Sequence, residues 1–259
     1  DGQCIEQRWV MRDEDGVPLL SGLAIYSWDC NDKKIRGLTF GSNGDVSHSV
    51  LEETKKDKLV WSGHITQLSD APPKDIPKGQ YEYVIKSVNG EYHIDFESET
   101  VNAEQVLTAV PGAGLTLQNA PNSKPNKWVR DWGNYLAGGT WTATIHGDRL
   151  EHPYDWMLNK HFLYNPRRGG AYPGLTIFGF DPASGKLTFW HFVNNGGIGQ
   201  STLTGQKNSC QLTGHGYGPD GKHSWSSRLV RGTQNKLSEE DITITVAGET
   251  KTEPDTVWK

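Results

Sequence analysis

Short runs of alternating apolar and polar residues recur along the chain, each closed by Gly, Pro, Asn or Asp. Residues 175–180 and 186–193 are two such runs. They flank Asp181-Pro-Ala-Ser-Gly185, a hairpin loop with glycine where a left-handed residue is needed. Asn194-Asn-Gly-Gly197 closes the second run, and Gly216-Tyr-Gly-Pro-Asp-Gly221 joins two more. The pattern predicts antiparallel strands linked by hairpins. No segment keeps a helical period over several turns, and one short helix is expected at most, at 102–108.

The pattern occurs twice. Gly22-Leu-Ala-Ile-Tyr-Ser-Trp-Asp29 matches Gly174-Leu-Thr-Ile-Phe-Gly-Phe-Asp181. The match runs without a gap through Lys34/Lys186, Phe40/Phe192, Asn43-Gly44/Asn195-Gly196, Ser49/Ser201 and Leu51/Leu203. About ten of roughly thirty-two positions are identical at one fixed offset, too many for coincidence. After a one-residue deletion, Ser62-Gly63-His64 falls on Thr213-Gly214-His215. The repeated unit is therefore a domain rather than a solenoid turn. The expected division is 1–107 for the first copy, a Pro-, Gly- and Asn-rich linker at 108–127, and 128–259 for the second. Gly138-Gly-Thr-Trp-Thr-Ala-Thr-Ile-His146 gives the second copy an opening strand that the first lacks, so a truncated N-terminus is expected.

Antiparallel hairpins must hide their edges, and closure into barrels does so. Each copy is long enough for about eight to ten strands. The expected fold class is thus all-β, as two tandem antiparallel barrels. A net charge of −5 and the lack of a Lys/Arg run argue against a nucleic-acid partner. No apolar stretch is long enough for a membrane span. Three cysteines without metal spacing, and nine histidines without close pairing, give no metal motif. Cys4 and Cys30 lie symmetrically about Val17 in an expected hairpin, which makes a disulfide between them a hypothesis. With that bridge, the missing start residue and the Trp/Gly-rich pattern, a periplasmic or extracellular location is expected. Oligomeric state is left open.

The second copy runs Gly139-Thr-Trp141, Tyr154-Asp-Trp-Met-Leu-Asn-Lys-His-Phe162, Tyr172-Pro-Gly-Leu-Thr-Ile-Phe-Gly-Phe-Asp-Pro-Ala-Ser-Gly-Lys186, Phe189-Trp-His-Phe192 and Gly196-Gly-Ile-Gly199. In these residues it resembles the bacterial DUF1579-like, lipocalin-like (calycin-type) barrels. The resemblance covers most of 138–230, and the repeat extends it to about 1–100. It implies a lipocalin-like barrel with a central cavity, and no single chemistry. The first copy departs from it by lacking the Gly-x-Trp strand.

His191 shares a strand face with Leu187, Phe189 and Val193, while Trp190 and Phe192 point the other way. Both faces are apolar, so alternation does not say which is interior. His191 and His161 are the candidate acid/base residues, against the plainer reading of hydrogen-bonded structural histidines. His161 aligns with Trp9, so the copies do not share one histidine site. Arg167 and Arg168 could hold a carboxylate or sulfate at a rim. Trp156, Tyr164, Tyr172 and Trp190 could stack on a flat or sugar-like ligand, or simply fill a core. Glu151-His-Pro-Tyr-Asp155 could line a barrel mouth or be an exposed loop. His64 and His215 recur as strand-end packing residues, and Asp29 and Asp181 as turn caps.

Two function classes follow. One is the binding of a small apolar, aromatic or glycoside-like ligand, chiefly in the second barrel. The other is a cofactor-independent lyase, isomerase or hydrolase acting on a carbohydrate or glycoside by histidine acid/base catalysis. No cofactor is called for, although a histidine inside a short barrel also fits haem.

Overall fold

The computed structural model describes residues 4–12, 15–29, 31–55, 58–66, 78–88, 91–98, 102–107, 125–170, 173–206, 208–233 and 235–259. Two antiparallel sheets dominate it. The first is a meander of β1 (Cys4–Arg12), β2 (Pro18–Asp29), β3 (Lys34–Gly41), β4 (Val46–Lys55), β5 (Lys58–Thr66), β6 (Lys78–Val88), β7 (Glu91–Ser98) and β8 (Asn102–Leu107). Then come helix α1 (Lys127–Leu136) and a ribbon of β9 (Thr140–Ile145) and β10 (Asp148–Pro153). The second sheet follows in chain order, as β11 (Asp155–Met157), β12 (Phe162–Arg167), β13 (Gly174–Asp181), β14 (Lys186–Val193), β15 (Ile198–Gln206), β16 (Ser209–Gly218), β17 (Gly221–Arg231), β18 (Leu237–Val246) and β19 (Glu249–Thr252). A last strand, β20 (Thr256–Trp258), also pairs with β18.

The sequence repeat is also a repeat of register. Gly22 faces Gly41 across β2–β3, and the matching Gly174 faces Val193 across β13–β14. Gly37 faces Ser49, as Phe189 faces Ser201. Ser49 then faces Gly63, as Ser201 faces Gly214. The extra residue of the first copy falls in a β-bulge between Leu51 and Glu53, so the ladder beyond it keeps step. The matching turns use Gly44 and Gly196 at φ +89° and +90°, a left-handed conformation that costs glycine nothing. Asp29 and Asp181 cap their hairpins. Asp29 Oδ1 accepts from the Asn31 and Asp32 amides, and Asp181 Oδ1 from the Ala183 amide.

The two sheets pack face to face through matching positions. Leu23, Ile25, Leu38, Phe40 and Val46 of the first meet Phe162, Ile177, Trp190 and Phe192 of the second, with Leu158 from the turn between β11 and β12. The Phe40 ring lies 5.0 Å from Trp190 and 5.2 Å from Phe162, both edge-on. Asn159 Nδ2 also donates to the Ser42 carbonyl, 2.9 Å away. Burial of each such large side chain stabilises by about 1.5–3 kcal/mol. This seam explains why both faces of β14 are apolar: Trp190 and Phe192 face the other sheet, and Leu187 and Phe189 face a second core.

That second core joins the inner face of the second sheet to Val129, Trp132 and Leu136 of α1, Trp141 and Ala143 of β9, and Trp258 of β20. The Asn126 side chain accepts from the Trp128 amide and starts α1. Neither main sheet closes on itself among the described residues. The β9–β10 ribbon bridges the gap in the second, through one reciprocal hydrogen-bonded pair on each side. Glu151 and Arg168 exchange bonds of 2.9 Å, and Thr142 and Lys259 exchange bonds of 2.9 and 3.1 Å.

The structure corrects two expectations. Residues 102–107 form strand β8, not a helix. The helix lies instead at Lys127–Leu136, where the reading had a linker ending and no helix. Cys4 forms no disulfide and stands opposite Ser27; Cys30 and most of the expected linker lie outside the described residues. No helix among the described residues is long and apolar enough to cross a membrane.

Candidate functional site

The ring of strands, ribbon and helix in the second copy surrounds a cavity of about 350 Å³. Each strand from β12 to β18 turns at least one residue into it, as do α1, β9, β10 and β20. Trp132, Leu136, Trp141, Phe189, Leu212, Trp225, Leu229, Leu237, Ile244 and Trp258 make its walls predominantly apolar. Trp225 lies across the inner face because Gly214 opposite it and the nearby Gly199 have no side chain; a Cβ at either would overlap the indole.

The polar groups in the cavity are specifically placed. His191 is held at both ring nitrogens, Nδ1 3.0 Å from Thr176 Oγ1 and Nε2 2.8 Å from Ser201 Oγ. Ser201 Oγ also accepts from Trp225 Nε1 at 3.0 Å. Burial, assisted by Arg167 and His152, pushes the His191 pKa well below the ordinary imidazole value. His152, whose ring lies 4.4 Å from that of Trp258 at a tilt of 37°, is lowered to about 3 by burial and then by Arg167. Burial raises Tyr154 to about 12, against the opposing effects of Asn165 and Arg167. It also raises Glu239, although Ser227 Oγ donates to Glu239 Oε1 at 2.8 Å. Both histidines are therefore neutral near pH 7, and the carboxyl is biased toward its neutral form.

Arg167 enters the cavity from the end of β12. Its Nε and Nη2 have essentially no exposed surface and no hydrogen-bond partner among the described residues. Burial lowers the guanidinium pKa from its usual value, with Tyr154 opposing. The Asn165 carboxamide is equally enclosed and closes no hydrogen bond of ordinary geometry, while lying close enough to Tyr154 to oppose the rise in its pKa.

Among the described residues named from sequence as acid/base or ligand-contacting candidates, His191 and Arg167 come together in this cavity, joined by His152 and Tyr154 of the segment read as a possible barrel mouth. Tyr164 lies on the opposite face of β12, where its hydroxyl donates to Glu6 Oε2 at 3.1 Å. Trp190 is part of the seam between sheets. Trp156 packs on Gly133 of α1. Arg168 is exposed and contributes its backbone to the bridge with Glu151. His161 is buried beside Phe162 and lines neither concavity; burial lowers its pKa to about 4. Tyr172 lies outside the described residues. The sequence reading missed Asn165, Thr176, Ser201, Trp225 and Glu239, and underrated His152 and Tyr154. Strand alternation on β12 and β13 would have placed Asn165 and Thr176 on the inner face once that face was known.

A second concavity, of about 890 Å³, opens between the sheets. His64 and His215 both line it, with His48, Asp29, Arg36 and Gln200. Its polar groups largely satisfy one another. Arg36 Nε bonds Asp29 Oδ2 at 2.6 Å and also reaches Asp32, and the His48 and His64 rings stack at 5.1 Å. Burial, with His64 adding, lowers His48 to about 4. Among the described residues no group of three or more His, Cys, Asp or Glu side chains is placed to hold a metal ion. Comparison with protein-family models, curated proteins and solved structures returns no match for this chain.

Proposed function

We propose that the second copy is a lipocalin-like binding barrel that takes one small, mainly apolar or aromatic molecule into the cavity lined by α1. The carrying observation is the convergence of every strand from β12 to β18 on one cavity with mostly aromatic and aliphatic walls. Its volume of about 350 Å³ falls within the usual range of small-molecule sites. The shared register of the two copies supports reading them as a tandem pair, with the first serving as the packing partner of the second.

The acid/base alternative fits less well. A general base must turn a free lone pair toward its substrate, and both His191 nitrogens are committed to Thr176 and Ser201. Ser201 is fully buried and lines neither concavity, so it is poorly placed as a nucleophile.

Four tryptophans line the cavity, so energy transfer to a bound dye reports occupancy. The neutral dye N-phenyl-1-naphthylamine should saturate one site per chain. Ile244→Trp, which fills the cavity from β18, should weaken it by about tenfold or more. Undiminished binding by folded Ile244→Trp, or no binding by the wild type, would overturn the proposal.

A further inference from the structure

Arg167 raises a question of charge balance. Arg167 lines the cavity, yet among the described residues it forms no ion pair within 4.0 Å, and its Nε and Nη2 are shielded from water without a partner there. The cavity holds one carboxyl group among its described residues, Glu239, and that group takes its hydrogen bonds from Ser227 and Trp258. His152 and His191 are neutral, so they add no positive charge that would compete with Arg167 for an anion. A charge left unpaired inside a protein is strongly unfavourable, and buried polar groups are nearly always paired. Arginine offers two parallel N–H groups that match a carboxylate.

We propose that the cavity ligand is an organic anion, an apolar or aromatic body bearing one carboxylate, with Arg167 as its anchor. The inference rests on the binding reading above and adds the chemical class of the ligand. With its Nε–Nη2 edge turned slightly toward the cavity, Arg167 would complete its hydrogen bonding on the carboxylate while the rings of Trp225, Phe189 and Trp258 enclose the body. Arg168, adjacent in sequence but exposed, takes no part.

The test compares 2-naphthoate with its neutral counterpart 2-naphthamide on the full chain, for the wild type and for Arg167→Met and Arg167→Lys. The wild type should bind naphthoate at least about tenfold more tightly than the amide. Arg167→Met should lose that preference. Without ligand, Arg167→Met should unfold at a higher urea midpoint than wild type, because an unpaired buried charge is gone. Naphthoate should raise the midpoint of wild type by more than that of Arg167→Met. Arg167→Lys, which keeps the charge but not the fork, should fall between the two. Equal binding of both probes by wild type would overturn the anion inference alone. So would a preference retained in Arg167→Met, or a lowered midpoint in that variant without ligand. Binding of neither probe would overturn the cavity-binding reading itself.

Discussion

At the residue scale the decisive feature is how burial treats ionisable side chains. Histidines 48, 152 and 161 have pKa values of about 4, 3 and 4 in the folded chain, against 6.5 for the free side chain. Between pH 6.5 and about 4 the unfolded chain therefore binds protons that the folded chain excludes. Stability is full above 6.5 and falls as the pH drops through that window, by at most about 1.4 kcal/mol per pH unit for each histidine. Glu239 has the opposite sign. Its folded pKa is raised, so its stabilising contribution is present at acid pH and lost as the pH rises. Urea midpoints measured from pH 8 to 4 should fall on the acid side, and Glu239→Gln should raise the midpoint at pH 8 relative to wild type. A flat profile would contradict these environments. None of this was legible in the sequence, because the flanking residues of His152, in Glu151-His-Pro-Tyr-Asp155, are charged and polar. Enclosure of its imidazole comes from Trp258, more than a hundred positions away.

At the element scale, strands were legible and the helix was not. The hairpins around Asp181-Pro-Ala-Ser-Gly185 and Asn194-Asn-Gly-Gly197 carry their turn chemistry locally. Helix α1 follows a Pro- and Asn-rich stretch and contains Gly133, a weak helix former, so its apolar spacing was overlooked. The buried set Val129, Trp132, Gly133 and Leu136 nonetheless follows one helical face. Gly133 is needed because the Trp156 indole lies where its Cβ would be. In an open helix, Gly→Ala stabilises by up to about 1 kcal/mol. Here Gly133→Ala should instead destabilise, by about 1–3 kcal/mol, through overpacking against Trp156. Equilibrium urea unfolding would show the difference, and a gain in stability would contradict the contact. Alternation failed on β14 for a different reason: one face meets the cavity core and the other meets the second sheet, so both read as apolar.

At the scale of the whole molecule, duplication explains the seam. The face bearing Leu23, Ile25, Leu38 and Phe40 in one copy carries Leu175, Ile177, Trp190 and Phe192 in the other, and like faces pack together. The repeat was visible in the sequence, but nothing local says that the copies bury the same face against each other. Phe40→Ala and Trp190→Ala should each cost about 3–5 kcal/mol. Because the rings touch, the double variant should cost less than the sum of the singles. Strict additivity in urea titrations would mean that the two sheets do not meet there. The seam leaves the inner face of the second copy free to form the cavity, and its occupancy can be observed directly. Intermolecular nuclear Overhauser contacts from 2-naphthamide to methyl-labelled protein should fall on Leu212, Leu229, Leu237 and Ile244. Contacts to Leu23, Ile25 and Leu38 instead, or none at saturating probe, would contradict a ligand cavity inside the second copy.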